Sequence, residues 1–140
     1  MRVLNITLLA TICLLFSTAA IADSLSDCPV SKMLVKCPEM TVPEDSRRIT
    51  ANAFINGITK VADNMGGILK ATSCQKTSQN QYRIDMEGSN PLIAGTIKEV
   101  YEFQVKNNYA VLSYVYRTKE FTPYEIEFFC HRIITAISWR

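Results

Sequence analysis

Residues 101–116 constrain this 140-residue chain more than any other stretch. Tyr101, Phe103 and Val105 alternate with Glu102, Gln104 and Lys106. A period of two with one apolar parity marks a strand with one face on a core. Asn107-Asn108 follows, and asparagine tolerates the positive φ that a tight primed hairpin turn needs. Residues 109–116 are then dense in β-branched and aromatic side chains. The reading is a hairpin, and with it an antiparallel sheet that the rest of the chain must cover.

The same alternation recurs on either side. Residues 68–74 read as a first strand. Tyr82, Ile84 and Met86 against Arg83, Asp85 and Glu87 give a second. Near the end, Tyr124, Ile126, Phe128 and Cys130 alternate with Glu125, Glu127 and Phe129, which predicts a last strand starting near Tyr124. That pattern breaks at Arg132. Ile133, Ile137 and Trp139 fall on the other parity, so the strand reading requires a bulge or bend near His131-Arg132.

Ahead of the strands lies a helix signal. Thr41 stands three residues before Glu44, the spacing of a capping box, with Pro43 between them in the first turn and Asp45 just after. Ala51, Phe54, Ile58, Val61 and Met65 follow at spacings of three and four, and Ile55 and Ala62 widen the stripe. Gly66-Gly67 supplies a left-handed end. Gly57 costs about 1 kcal/mol relative to alanine inside a helix and is expected to admit close approach to the sheet.

The order predicts an α+β domain: one N-terminal amphipathic helix packed on a four- to five-stranded antiparallel meander. It is similar to the outline of cystatin-like and NTF2-like domains. The likeness is one of element order and transfers no functional residue.

Arg2, the largely apolar residues 4–20 and the small residues of Ala20-Ile21-Ala22 read as a cleavable signal peptide at residues 1–22. Residues 23–140 would then form a single domain, periplasmic or secreted. Arg2 is the only charge in the signal, so its loss takes the formal net charge from +2 to +1. That balance argues against a nucleic-acid partner or a membrane surface after cleavage. Cys28, Cys37, Cys74 and Cys130 remain, an even number that suggests two disulfides. Four cysteines allow three pairings. Cys28–Cys37 with Cys74–Cys130 is the expected one, since it closes a short loop and ties a first strand to a last. A zinc site would need paired C-x-x-C spacing and more histidine than His131.

Chemistry is sparse. His131 adjoins Cys130, but neighbours in a strand face opposite ways and make no dyad. Glu125 and Glu127 would lie roughly 7 Å apart on one strand face, a spacing known from inverting glycosidases, yet alternating glutamates are also what a solvated strand face looks like. No nucleophile elbow and no phosphate loop occur. The expectation is therefore no enzyme, no cofactor and no metal.

The positive signal is an apolar surplus. Tyr109, Val111 and Val115 occupy one parity of a strand, and Ala110, Leu112, Tyr114 and Tyr116 the other. One helix covers one side only. The sequence thus predicts an exported, non-enzymatic protein-binding module holding a protein partner or a second copy of itself. Inhibitor, immunity protein and accessory subunit of an envelope assembly all fit. Tyr109, Tyr114, Tyr116 and Trp139 are its candidate contact residues. The alternative is a carrier of a small apolar ligand, in a helix–sheet pocket lined by Phe54, Ile58, Tyr101 and Phe103.

Overall fold

A computed structural model describes residues 25, 27–38 and 48–138. The predicted signal at 1–22, the helix-start residues Thr41, Pro43, Glu44 and Asp45, and Trp139 lie outside the described residues.

A 3-10 turn, Pro29–Lys32, leads into a short strand β1 (Leu34–Lys36). Helix α1 spans Ala51–Asn64. Its start is set by Thr50, whose Oγ1 accepts a hydrogen bond from the Ala53 amide at 3.2 Å, so one of the orphan donors of the first turn is satisfied. Its end is set by Gly66, whose φ of 80° reverses the chain at low cost for glycine. Strands β2 (Ile68–Ser78), β3 (Gln81–Asn90), β4 (Ile93–Lys106) and β5 (Tyr109–Tyr116) follow. Asn107 and Asn108 take φ of 50° and 66°, the two left-handed residues of a primed turn between β4 and β5. The chain closes on a second helix, α2 (Pro123–Ser138).

The sheet order is β1-β5-β4-β3-β2. Four strands form an antiparallel run, and β1 pairs with β5 in parallel, Leu34 against Tyr109 and Lys36 against Val111.

The architecture corrects the expectation of a single helix on an antiparallel meander, and with it the cystatin/NTF2-like outline. The protein is α+β, but the predicted last strand from Tyr124 is a 16-residue helix and the sheet is mixed. The physical reason is in the spacing. Ile126, Phe129, Cys130, Ile133, Ile134 and Ile137 follow one another at three, one, three, one and three residues, a helical face that continues where the alternation stops. Of these, all but Ile137 are buried.

The core forms where both helices and the inner face of the sheet send aromatic rings together. Phe54, Tyr101 and Phe103 are fully buried. Phe129 of α2 is the hub. It meets Phe54 edge-on at 6.3 Å, stacks on Tyr101 at 5.8 Å and meets Phe121 edge-on at 5.8 Å. Phe54 meets Phe103 edge-on at 6.0 Å. Gly57 has a different role from the one the sequence suggests. A Cβ there would come within 2.6 Å of Ile137 Cδ1, so the close approach it permits is between the two helices.

Two disulfides cross-link the structure, Cys28–Cys74 and Cys37–Cys130, with Cα separations of 6.0 and 5.7 Å. This overturns the expected pairing of Cys28 with Cys37. Cys74 points inward on β2 opposite Ile84, and Cys130 lies fully buried on a helix rather than on a last strand. Among the described residues, no helix is long and apolar enough to cross a membrane.

Candidate functional site

The two sides of the sheet offer different chemistry. On the outer side, the feature that sorts β5 is a bulge. Leu112 pairs with Phe103 and Tyr114 with Glu102, so Ser113 is the extra residue. An extra residue reverses the facing of everything after it. Ala110, Leu112 and Val115 therefore all point inward and are fully buried. Tyr109, Val111, Tyr114 and Tyr116 all point outward, opposite Lys106, Gln104, Glu102 and Val100 of β4. The surplus that seemed to load both parities of the strand is one inward row and one outward row.

The three predicted tyrosines thus share one face. Tyr116 is 39% exposed, and Tyr109 and Tyr114 are half-buried. The Lys36 ammonium sits 5.5 Å from the Tyr109 ring centre, a cation–π contact. Beyond the tyrosines, toward β2, the outer face is polar. Arg83 pairs with Asp85 at 2.9 Å, Ser73 donates to Asp85 at 2.7 Å and Gln81 donates to Glu102 at 3.0 Å. The outer face thus carries an aromatic strip beside a hydrogen-bonded polar ladder.

On the inner side, a cavity of about 270 Å³ opens where the C-terminal half of α1 meets the start of β2, the β3–β4 end and residues 117–121. Ile58, Val61 and Ala62 of α1, Ile97 of β4, Phe121 and the Phe129 ring form much of its wall. Of the four lining residues expected from sequence, only Ile58 lines it. Phe54, Tyr101 and Phe103 are fully buried in the core.

Ser89, Asn90 and Thr118 add uncharged polar groups to this wall, and Glu99 and Arg117 add charged ones. Glu99 is only 5% exposed and lines the cavity. Its Oε1 accepts a hydrogen bond from the Tyr101 hydroxyl and another from Arg117 Nε at 3.1 Å. The Arg117 guanidinium also lies 5.3 Å from the Phe129 ring centre. Burial first, then the Glu99 charge and hydrogen bond, push the Tyr101 hydroxyl far above its usual range, so it stays a donor. Sequence reading passed over Glu99 and Arg117. The available signal was that Glu99 shares the inward parity of Tyr101 and Phe103, where an acid needs a partner.

The remaining candidates disperse. Glu125 and Glu127 sit two apart on α2, on different sides of the helix. Glu125 pairs with Lys119 at 3.0 Å while Glu127 is buried. The two therefore make no shared carboxylate face. Cys130 is in a disulfide beside His131. Among the described residues, no group of three or more His, Cys, Asp or Glu is placed to hold a metal ion. Comparison with known proteins gives no match: no family model fits the chain, and neither a curated protein nor a solved structure matches it.

Proposed function

We propose that this is a non-enzymatic protein-binding domain, exported to the periplasm or the cell exterior on a cleavable signal at residues 1–22. It takes a protein partner, or a second copy of itself, on the outer face of β5. The observation that carries this reading is the Ser113 bulge, which gathers Tyr109, Tyr114 and Tyr116 on one face beside a polar ladder. Tyrosine buries a large area with few rotors, which suits it to the centre of an interface. Two disulfides are compatible with an oxidising compartment.

The test is the double substitution Tyr114→Ser with Tyr116→Ser. Outward positions leave the core untouched, so far-UV circular dichroism should not change. A tyrosine at an interface hot spot contributes about 2 kcal/mol or more, about thirty-fold in Kd. Affinity capture from the envelope fraction and sedimentation of the purified protein should both respond accordingly. Capture and self-association that match the unsubstituted protein would remove the reading.

The cavity favours a second reading, a binder of a small, mainly apolar ligand. Its volume exceeds the roughly 150 Å³ that admits benzene to an apolar cavity, and it has convergent polar groups at one wall.

A further inference from the structure

We infer that the cavity between α1, α2 and the sheet selects an uncharged amphiphile, with an apolar body against Phe121, Ile97 and Val61 and a single hydroxyl or amide on Glu99 and Arg117. The inference rests on the second reading above and names the chemistry of its ligand.

Three observations lead there. First, the wall is mainly apolar, Ser89, Asn90 and Thr118 are its uncharged polar members, and its charged side chains, Glu99 and Arg117, stand together. A ligand's body is therefore hydrocarbon or aromatic, and the strongest partners for its polar group lie at one place. Second, both hydrogen bonds to Glu99 land on Oε1, and Oε2 receives neither of them. Arg117 engages Glu99 through Nε, its side chain stays 39% exposed, and among the described residues its two terminal amino groups have no acceptor. An acceptor edge and donor groups are therefore offered side by side, which is what a hydroxyl or an amide uses. Third, the two charges at this wall already cancel. A carboxylate ligand would bring a second negative charge against the buried Glu99, and an ammonium a second positive charge against Arg117. Either would place an unbalanced charge beside apolar walls, where it is costly. Met65 and Ile68 line the cavity and are 70% and 54% exposed, so it opens to solvent at that end.

The experiment titrates the ¹⁵N-labelled full chain with 1-octanol, octanoate and octylammonium at neutral pH. 1-Octanol should shift the amide signals of Gly67, Ser89 and Ile97, and bind at least ten-fold tighter than either charged homologue. Ala62→Phe, which fills the cavity from α1, should abolish those shifts. Arg117→Gln should move the preference toward octylammonium. If that variant does not fold, the comparison of the three homologues on the unsubstituted protein still decides. A charged homologue that binds as tightly as the alcohol overturns the inference and leaves the ligand reading standing. No shift with any of the three overturns both.

Discussion

Phe129 shows how far a single residue can depart from its reading in a linear pattern. Alternation assigned it to the polar side of a strand, with Glu125 and Glu127. On a helix it points inward and touches three other rings and the Arg117 guanidinium. Such edge-on and offset contacts are each worth about 0.5–1.5 kcal/mol beyond area. Truncation to alanine also opens a cavity, so Phe129→Ala should destabilise by about 3–5 kcal/mol. Urea unfolding followed by circular dichroism measures it. A loss below 1 kcal/mol would mean that the ring is not at the centre of the core.

At the scale of elements, the start of α2 carries the signature that sequence reading placed at Thr41 to Glu44. Thr122 and Glu125 form the capping box here, with Pro123 as the first helical residue. Thr122 Oγ1 accepts from the Glu125 amide at 3.3 Å, and Glu125 Oε1 accepts from the Thr122 amide at 3.3 Å. The hydrogen bond from Lys119, then that from the Thr122 amide, holds the Glu125 carboxyl below the usual glutamate range. A depressed folded-state pKa means stabilisation present above the unfolded pKa and lost as pH falls through the folded one. An NMR titration should place the Glu125 midpoint below that of an ordinary glutamate, and Lys119→Met should raise it. The hairpin at Asn107-Asn108, the body of α1 and the Gly66 end were legible because each is a local signal. The last helix was misread because Ile126 and Cys130 satisfy both periods, and only the continuation through Ile133, Ile134 and Ile137 separates them. The outward row of β5 was half legible. Its tyrosines stood out by type, but a one-residue bulge leaves no mark in a single sequence. Parallel pairing of β1 with β5 was illegible, since three residues carry no period and their partner lies far along the chain.

For the whole molecule, the cross-links decide what holds the ends together. Cys28–Cys74 fixes the N-terminal segment to β2, the far edge strand, across a sequence separation of 46. Cys37–Cys130 fixes the residue after β1 to α2 across a separation of 93. Loop-closure entropy gives about 4 kcal/mol for the first and about 4.6 kcal/mol for the second. Mass mapping of peptides cut without reduction should recover these two pairs and no Cys28–Cys37 peptide. Replacing Cys37 and Cys130 together by serine should lower the unfolding midpoint at least as much as replacing Cys28 and Cys74. The two spans interleave, each bridge having one end inside the loop of the other. A chain that oxidises stepwise from its start offers Cys28 the nearby thiol of Cys37 long before Cys74 arrives, and that early bond is the wrong one. A chain oxidised in that order would need reshuffling to reach the interleaved pairs, so the expected outcome is that a thiol isomerase accelerates recovery of the reduced chain more than an oxidant alone.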